Sequence, residues 1–370
     1  MKRLVLCGGG HSHLEVLRRF GRRPVPGLEL LLVDTARHAA YSGMLPGLIA
    51  GHYEFKDAHV DLERLARYAG GRRIAAAALR IDVGARTLHT EGCALAYDVL
   101  SLDIGSALSE TVIAEPGSMT IRARPAAEFL AAWERLRERA AAGDIRKLLV
   151  AGGGAAAVEI VLAMQHRLAG EHTRKCPAFS LASDSDQLLP DYPSRVGTLF
   201  GGLLAAHGVE VHLSSKITRV QAGAAWSARG ERIEADAVVI ATGAAAPAAL
   251  DAPDLARDAR GFFAVNDYLQ STTQPEVFAA GDCAGLAGRQ VPKSGVYAVR
   301  QGPPLAENLR SVLAGNPPAA RFIPQARTLN LISAGERYAI ATRGSWSASG
   351  RWAWRWKDWI DRRFMARYSI

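Results

Sequence analysis

Hydrophobic and polar positions near the start of the chain predict a strand, a turn and a helix in succession. The apolar residues 4–6 predict a buried strand, and the three glycines at 8–10 predict a tight turn. Apolar residues at helical spacing follow over 13–17, and a second apolar run, 28–33, ends at Asp34. This order of strand, glycine turn, helix, strand and acid is typical of a dinucleotide-binding unit.

Each part of this first glycine turn has a separate physical role. Gly8 permits the sharp turn, and Gly10 leaves space in which a pyrophosphate can approach the backbone. The helix N-terminus directs free N–H groups and a positive dipole end towards that phosphate. Asp34 lies about 20 residues further along, at the spacing expected for an acid that binds ribose hydroxyls. His13 replaces the third glycine of G-x-G-x-x-G, a position that governs helix–strand packing.

His11 and His13 also form an H-x-H pattern, which raises the alternative of a metal site. A metal site needs further ligands, and the remaining histidines fall in no cluster with ligand spacing. The sequence therefore favours two roles within the turn. His13 packs at the start of the helix, His11 lies near the phosphate, and no metal site is predicted.

The same pattern returns near residue 150. Residues 148–151 predict a strand, the glycines at 152–154 a turn, and residues 155–164 a helix. Ala157 takes the third position of the fingerprint, where alanine is allowed. Two such units predict two dinucleotide-binding domains.

The second unit has no acid at the ribose position. Its next strand, 178–182, is followed by Ser183, with Asp184 beside it and with Arg174 and Lys175 just upstream. A missing acid removes repulsion against a 2′-phosphate, so the sequence leaves both NADH and NADPH open.

Two later apolar runs end in glycine motifs. Residues 238–243 read VVIATG and residues 277–282 read VFAAGD, and each run predicts a buried strand that ends in a tight turn. Asp282 offers a carboxylate at the end of its strand, where a ligand hydroxyl can meet it. The alternative role for Asp282 is to cap the element that follows.

Composition and charge limit the classes of protein that fit. The chain has 370 residues, of which 49% are hydrophobic and 22% charged, as expected of a globular protein with two domains. The net charge of +9 suits nucleic acid, anionic lipid or an anionic small ligand, but no nucleic-acid-binding motif is present. The four cysteines form no C-x-x-C pair, which indicates a reducing, cytoplasmic compartment. No apolar run is long enough for a transmembrane helix.

The end of the chain is rich in tryptophan and arginine. Five of the seven tryptophans lie between Trp346 and Trp359, and between 351 and 368 basic residues outnumber acidic residues by six to two. On a helix, one apolar stripe is predicted for Trp352, Trp356, Trp359, Ile360 and Phe364. This segment predicts an in-plane helix on an anionic membrane surface, on the inner face of the cytoplasmic membrane. The alternatives are packing on the protein's own core or at a homodimer interface.

The motifs together resemble a known family. In chain order they are LVLCGGGHSH, VD at 33–34, VAGGGAAAVE, VVIATG and FAAGDCAG. This set is similar to the flavoproteins of the pyridine nucleotide–disulfide oxidoreductase type, which bind two dinucleotides. YSGMLPGLIAGHY, YDVLSLDIGS, VYAVRQGPPLAENL and the tryptophan-rich tail resemble two groups of them most closely. These are the type II NADH:quinone oxidoreductases and the NADH-dehydrogenase-like domain fused to selenide, water dikinase.

The resemblance implies a fold and a division of the chain. The implied fold class is α/β, with two Rossmann-like, three-layer (ββα) domains, the second inserted into the first. The FAD-binding domain would comprise residues 1–107 and 256–320, and the NAD(P)H-binding domain residues 108–255. Residues 321–370 would form a C-terminal membrane-association or interface segment with an amphipathic helix.

The resemblance also implies the cofactors FAD and NAD(P)H and the residues that contact them. The residues expected to contact FAD are Gly8, Gly10, His11, His13, Asp34, Tyr41, Pro46, Gly105, Gly281, Asp282, Lys293 and Gly295. The residues expected to contact NAD(P)H are Gly152, Gly154, Ala155, Glu159, Ser183 and Gly243. The helix that follows Lys293 would direct its N-terminus at the flavin and stabilise negative charge on it.

The implied activity is hydride transfer from NAD(P)H to flavin, followed by electron transfer to a second acceptor. No catalytic side chain is required, because the flavin carries the redox chemistry. A quinone is the first candidate acceptor, with Gln301 and Arg300 in place of the glutamine-rich quinone motif. Two alternatives stay open: an enzyme acting on a sulfur or selenium species, and a membrane-docked redox sensor without turnover. Cys176 and Cys283 lie far apart in the sequence and are poor candidates for a sulfur relay.

Overall fold

The computed structural model describes residues 1–108, 112–171 and 176–370. Arg174 and Lys175, which bear on the choice between NADH and NADPH, lie outside the described residues. Two five-stranded parallel sheets organise the chain, and each has helices packed against it. This arrangement confirms the predicted α/β fold with two Rossmann-like units.

The first parallel sheet is built from both ends of the chain. Its strands, in spatial order, are Val277–Ala279, Val99–Leu102, Lys2–Cys7, Leu28–Val33 and Arg72–Ile74. The three central strands are buried along most of their length, which explains their unbroken apolar sequences. The first glycine turn therefore leaves the sheet at its carboxyl edge, between the central strands.

The second parallel sheet comes from the middle of the chain. Its strands, in spatial order, are Met119–Arg122, Ala237–Ile240, Lys147–Ala151, Ala178–Ala182 and Val209–His212. The second glycine turn follows its central strand, as the first turn does in the first sheet. The chain passes towards this sheet through Ala107–Leu108 and returns through Ala244–Ala245, and these two short strands pair antiparallel.

Smaller sheets accompany each parallel sheet. The first parallel sheet is followed by an antiparallel sheet of Ala78–Asp82, Thr87–Thr90 and Ala94–Ala96. The second is accompanied by a sheet of Ile113–Ala114, Ile217–Gln221, Ala224–Ser227 and Arg232–Glu234. Two-stranded pairs are formed by His38–Ala40 with His59–Asp61 and by Phe263–Val265 with Ala284–Leu286.

Helices cover the parallel sheets and join the parts of the chain. The α-helices are His11–Arg22, Leu45–Ile49, Phe55–Ala58, Leu62–Tyr68, Ala126–Ala142, Ala155–Glu171, Ser194–Ala206, Gly295–Leu313 and Arg351–Met365. Short 3-10 turns occupy Ser42–Met44 and Gly281–Cys283. The helices His11–Arg22 and Gly295–Leu313 pack side by side, which brings the first turn close to the Asp282 motif.

The C-terminal segment packs on both halves of the molecule. Its antiparallel sheet consists of Asn330–Ser333, Ala339–Arg343 and Trp346–Gly350, and the C-terminal helix, Arg351–Met365, follows directly. Ile332 and Ile340 belong to the hydrophobic core of the second parallel sheet, whereas Phe364 belongs to that of the first. Within the described ranges, no helix has the length and apolarity needed to cross a membrane.

Asn308 offers a test of how the helix Gly295–Leu313 is held in place. Its buried side-chain amide donates to the carbonyls of Tyr268 and Ala320, each at 2.8 Å, and its side-chain oxygen accepts from the N–H groups of Ala319 and Ala320. We expect Asn308→Ala to lower the free energy of unfolding by about 2–4 kcal/mol, because it leaves buried backbone groups unpaired. Chemical denaturation measures this change. The exposed Asn316 is the control, and Asn316→Ala should change stability by less than about 0.5 kcal/mol.

Candidate functional site

The first glycine turn is held by hydrogen bonds to residues at the ends of two neighbouring strands. The N–H of Gly8 donates to the carbonyl of Val33 at 2.8 Å, and the N–H of Gly10 donates to the carbonyl of Asp103 at 3.2 Å. Gly8 has φ +94°, and a Cβ atom there would collide with the Asp103 backbone. A side chain at Gly8 is therefore excluded both by conformation and by space.

Asp103 is the central residue of this turn, and the sequence analysis missed it. The residue is only 3% exposed, and its carboxylate accepts hydrogen bonds from the N–H groups of Ser12, at 2.8 Å, and His13, at 3.2 Å. A Cβ atom on Gly10 or on Gly281 would overlap this carboxyl group. Burial raises the pKa of Asp103 to about 7, and the nearby Asp282 carboxylate acts in the same direction. The sequence does carry a signal for this residue, because Asp103 is an acid that directly follows the buried strand Val99–Leu102.

His13 is buried at the start of the helix, as the sequence predicted. Its Nδ1–H donates to the carbonyl of Gly8 at 2.6 Å, so its Nε2 accepts from the Ser101 hydroxyl at 2.8 Å. Burial lowers the pKa of His13 to about 4, which keeps the ring neutral. The imidazole therefore occupies the space between the helix and the strand. Both ring nitrogens are hydrogen-bonded within the protein, so neither is left for a ligand.

Asp34 lies beside the first turn. One carboxylate oxygen accepts from the N–H of Gly9 at 2.6 Å, and the other from the N–H of Ala36 at 2.7 Å. Burial raises the pKa of Asp34, and these two hydrogen bonds oppose the shift. The carboxylate is half-buried, so its remaining acceptor positions can meet a ribose hydroxyl next to the turn.

The Asp282 motif closes the site from the other side. The Asp282 carboxylate pairs with the Arg124 guanidinium at 3.2 Å and accepts from the Ser106 hydroxyl at 3.5 Å. Arg124 was not predicted, because it lies far from Asp282 in the sequence and precedes the second sheet's helix. It brings a positive charge directly to the Asp282 carboxylate.

The structure separates the two residues predicted to meet the acceptor. Gln301 is buried, and its side-chain oxygen accepts from the N–H of Gly281 at 2.5 Å. Arg300 is exposed to solvent. Gln301 therefore supports the Asp282 turn from inside, since its oxygen is already engaged, and the two side chains form no common site.

Loop and helix residues predicted to surround the flavin come together near Tyr41. The backbone of Gly295, at the start of its helix, approaches the Ser42 hydroxyl so closely that a Cβ atom would lie 2.9 Å from it. The ring of His11 lies 5.4 Å from that of Tyr41, and burial lowers the pKa of His11. Pro46, by contrast, is buried inside the short helix Leu45–Ile49.

Lys293 and Gly105 occupy opposite kinds of environment at this site. The Lys293 ammonium donates to the carbonyl of Ala284 and lies 3.9 Å from the centre of the Phe262 ring. Burial lowers the pKa of Lys293. Gly105 has φ +71° and open space beside its Cα. The lysine ammonium has three N–H donors, so donors remain for a ligand beside the Ala284 carbonyl.

The second glycine turn is more open than the first. Gly152 has φ +143°, and a Cβ atom there would collide with the carbonyl of Ala241. Gly154 and Gly243 are exposed with open space beside them, and Ala155 begins the helix. The Thr242 hydroxyl is buried and has no hydrogen-bond partner among the residues described. An open backbone turn beside an unsatisfied hydroxyl fits a phosphate-containing ligand.

Ser183 does not face this open turn. Its side chain is buried beneath Gly153, and its oxygen accepts from the N–H of Ser185 at 3.2 Å. The exposed acid at the strand end is Asp184. The direct contact predicted between Ser183 and the nucleotide is therefore not supported by its position.

Glu159 lies where the second turn meets the C-terminal segment. Its half-buried carboxylate accepts from the N–H of Ser333 at 2.7 Å. Burial raises the pKa of Glu159, and the nearby Lys357 ammonium opposes the shift. Lys357 itself is buried, donates to the carbonyl of Gly43 and pairs with Asp361 at 2.6 Å. A single ammonium group thus links the C-terminal helix to the Tyr41 loop, close to Glu159.

The C-terminal helix has two apolar faces, so the prediction of one stripe was wrong. Phe364 is 5% exposed and stacks on Tyr41 with ring centres 4.2 Å apart. Trp352, Trp356 and Trp359 are 46%, 38% and 57% exposed on the opposite side. The inward face packs on the protein's own core, which was the alternative interpretation, and the outward face leaves three tryptophans in solvent.

The cysteines do not form a reactive pair. Burial raises the pKa of Cys7 to about 12 and also raises that of Cys283. All four cysteines are free, with Cys93 exposed and Cys176 half-buried. Over the described parts of the chain, no group of three or more His, Cys, Asp or Glu side chains is arranged to hold a metal ion. Thiols held in the protonated form cannot act as nucleophiles.

The family is shown by a match along most of the chain. The family described as pyridine nucleotide-disulphide oxidoreductase matches residues 2–302, which include both glycine turns and the Asp282 motif. The chain belongs to this family. Its members use FAD and NAD(P)H, which confirms the two predicted cofactors.

Curated relatives share parts of the sequence. The type II NADH:quinone oxidoreductase of Haemophilus influenzae is 28% identical over 46% of this chain and 41% of its own length. The nitric oxide reductase FlRd-NAD(+) reductase of Salmonella agona is 30% identical over 57% of this chain and 53% of its own length. The chain thus spans about half the length of these relatives. The NADH dehydrogenase-like protein YutJ of Bacillus subtilis is 21% identical over 77% of this chain and 78% of its own length.

Solved structures show the same fold. NDH2 from Plasmodium falciparum in complex with NADH has a TM-score of 0.81 at 11% identity, covering 99% of this chain and 97% of its own. The sulfide:quinone oxidoreductase from Aquifex aeolicus has a TM-score of 0.79 at 18% identity, covering 100% and 91%. These similarities extend through the C-terminal segment, beyond the family match.

Lys357 should be essential for holding the C-terminal helix. We expect Lys357→Met to lower the free energy of unfolding by about 3–5 kcal/mol, because it leaves the buried Asp361 carboxylate unpaired. The double variant Lys357→Met with Asp361→Leu should recover most of this loss, since neither charge then remains. Chemical denaturation and proteolysis of the C-terminal helix provide the two measurements.

The matched control has the same spacing on the exposed side of the helix. Arg362 pairs with Asp358 at 3.0 Å, and Arg362→Met should cost less than about 1 kcal/mol. Equal losses for Lys357→Met and Arg362→Met would contradict the structural role of the buried pair.

Proposed function

We propose that this protein is an FAD-dependent NAD(P)H oxidoreductase of the type II NADH dehydrogenase kind. FAD held at the first glycine turn would supply the redox chemistry, with NAD(P)H as the hydride donor and a second molecule as the electron acceptor. The observation that carries the proposal is the pair of glycine turns, each at the carboxyl edge of its own parallel sheet. Ligands of such sheets bind at that edge.

The first site has the chemistry needed to hold FAD. The turn at Gly8 and Gly10 and the half-buried Asp34 suit the adenosine diphosphate part. Asp282 suits the hydroxyls of the flavin's sugar-alcohol chain, and Arg124 beside it can pair with the phosphate. The start of the helix Gly295–Leu313 supplies a positive dipole end for the ring system.

The second site has the chemistry needed to bind NAD(P)H reversibly. Gly152 permits the tight turn, Gly154 and Gly243 leave its surface open, and Thr242 offers an unused hydroxyl. We expect the diphosphate to meet the N–H groups at the start of the helix Ala155–Glu171. Glu159, one turn into that helix, is placed towards the interior and the C-terminal segment.

Gly154→Asp tests the second site without disturbing the first. Because the position is exposed and open, the variant should fold and keep its FAD, but its carboxylate would repel the NAD(P)H diphosphate. We expect the KM for the nicotinamide to rise by at least about tenfold. Flavin bleaching under anaerobic addition of NADH and of NADPH measures the reaction and shows which nucleotide is preferred.

Gly170→Asp is the matched control, since Gly170 is exposed and open near the other end of the same helix. It should leave the KM for NADH and NADPH unchanged. A wild-type flavin spectrum that stays oxidised with both nucleotides would refute the oxidoreductase function itself.

We further propose a membrane quinone as the second acceptor, reached from the inner face of the cytoplasmic membrane. One of the similar proteins, that of Haemophilus influenzae, is named as a type II NADH:quinone oxidoreductase. The tryptophans Trp352, Trp356 and Trp359 are exposed together, and exposed arginines flank them on the same helix. Tryptophan favours the headgroup region and arginine favours anionic lipid. This face supports docking on an anionic membrane surface.

The sulfur and selenium alternative draws no support from the cysteines. A sulfide:quinone oxidoreductase and a persulfide reductase have the same fold, but their identities of 18% and 20% show the fold alone. Cys7 and Cys283 are buried thiols of raised pKa, so neither suits a sulfur relay. A redox sensor without turnover would be reduced once by NADH and would show no catalytic reduction of a soluble quinone.

Replacement of the three exposed tryptophans tests the membrane interaction. We expect Trp352→Ser, Trp356→Ser and Trp359→Ser together to weaken binding to phosphatidylserine-containing vesicles by at least about tenfold. Co-sedimentation measures the binding, while turnover with a soluble quinone should stay unchanged. Ile323→Ser is the control, because Ile323 is 72% exposed outside this helix.

Unchanged vesicle binding by the triple variant would contradict the docking proposal. If the wild-type protein does not bind vesicles and its measured mass doubles as its concentration is raised, the tryptophan face would instead be assigned to a homodimer interface. Loss of binding at high salt in the wild type would show the contribution of the arginines.

A further inference from the structure

The first helix already has a carboxylate at its N-terminus. Asp103 accepts hydrogen bonds from the N–H groups of Ser12 and His13 on the buried side of the turn, next to the positive end of the helix dipole. The backbones of Gly10 and Gly281 pack so closely on the carboxyl group that a Cβ atom on either glycine would overlap it. Asp103 therefore places a buried carboxyl group, which is charged above its raised pKa, at the same helix end that is expected to attract the FAD pyrophosphate.

The groups that face Asp103 do not neutralise it. They come from the adjoining first strand, the first helix and the Asp282 turn, and they are Cys7, His13, Asp282 and Cys283. Burial keeps both thiols protonated and lowers the pKa of the His13 imidazole. Asp282 adds a second negative charge to the same region.

The two nearby cations have other partners. Arg124 pairs with Asp282, and the Lys293 ammonium donates to the Ala284 carbonyl. Among the residues that the structure describes, no cation hydrogen-bonds the Asp103 carboxylate. Its charge is therefore stabilised mainly by the two backbone N–H groups, Ser12 and His13.

We propose that Asp103 takes up one proton when FAD binds, so that its negative charge no longer opposes the pyrophosphate dianion at the same helix end. This inference rests on the placement of FAD at the first glycine turn. The reason is electrostatic: a buried carboxylate and a pyrophosphate cannot both remain charged on opposite sides of one helix N-terminus without a strong repulsion. Protonation of Asp103 removes the repulsion and leaves its carbonyl oxygen to accept a backbone N–H.

Linkage then gives FAD affinity a defined pH dependence. Burial holds the pKa of Asp103 at about 7 in the free site, and the incoming dianion raises the pKa further. Below that pKa the proton is already present and affinity is highest. Above it, binding has to take up a proton, so the Kd for FAD rises by up to about tenfold for each pH unit.

The test uses the purified holoenzyme. Release of FAD on dilution is followed by the fluorescence of free flavin between about pH 6 and about pH 9, at constant ionic strength. Free FAD has no group that titrates in this range. We expect the wild-type Kd to rise by at least about tenfold across it, whereas Asp103→Asn should bind FAD with a nearly constant Kd.

Two further variants separate Asp103 from its neighbours. Asp34→Asn should weaken FAD binding but keep the wild-type pH slope, because the ribose acid is not the group that takes up the proton. Asp282→Asn should move the onset of the slope to lower pH, since it removes a charge that raises the pKa of Asp103. This shift is measured independently of absolute affinity, and it applies even if Asp103→Asn does not fold.

Each outcome bears on one claim. A flat wild-type profile, a slope that persists in Asp103→Asn, or an onset that does not move in Asp282→Asn would overturn the role of Asp103 while leaving FAD in place. A protein that holds no FAD even near pH 6 would refute the cofactor site, and with it the proposed function.

Discussion

The N–H groups at the start of the helix His11–Arg22 govern the architecture of the first site. A helix start leaves several backbone donors without intrahelical partners, and here it is buried at the edge of a sheet. Asp103 satisfies the donors of Ser12 and His13, and this contact requires bare backbone at Gly10 and Gly281. One hydrogen-bonded carboxylate therefore determines where glycine is needed on two segments that are distant in the chain.

The C-terminal segment shows a second use of a buried charge. Its apolar residues extend both hydrophobic cores, but its orientation is fixed by polar contacts. Lys357 reaches the Gly43 carbonyl and Asp361, while the Ser333 backbone holds Glu159. Because each of these groups would be costly to bury alone, they hold the C-terminal segment against the parts built on both parallel sheets. The outward face of the helix takes no part in these contacts and exposes its three tryptophans to solvent.

Local sequence patterns predicted the parts of the fold that depend on local physics. Glycine turns after apolar runs identified both helix starts, because conformation and close approach act there on neighbouring residues. The same reasoning located Asp34 and Asp282, each at the end of a buried strand. Prediction of the C-terminal helix was correct, and the error concerned its faces, since apolar residues such as Trp354 and Phe364 lie opposite the exposed tryptophans.

Residues that act across long sequence separations escaped prediction. Asp103 meets Ser12 and Arg124 meets Asp282 only because the sheets bring distant segments together. Lys357 was counted among the basic residues of a membrane-facing surface, although its ammonium is buried. Gln301 was predicted to contact the acceptor because it lies in a family motif. The motif does not reveal which side of the helix is buried in the protein, and Gln301 lies on the buried side.

The short antiparallel pair at Ala107–Leu108 and Ala244–Ala245 has a consequence for how the chain is put together. The two points at which the chain enters and leaves the middle section lie side by side, about 5 Å apart. The whole second parallel sheet lies between these two strands in the chain. The second parallel sheet is thus an insertion in the chain that forms the first, and the Arg124–Asp282 pair and the C-terminal segment hold the two parts together across that connection.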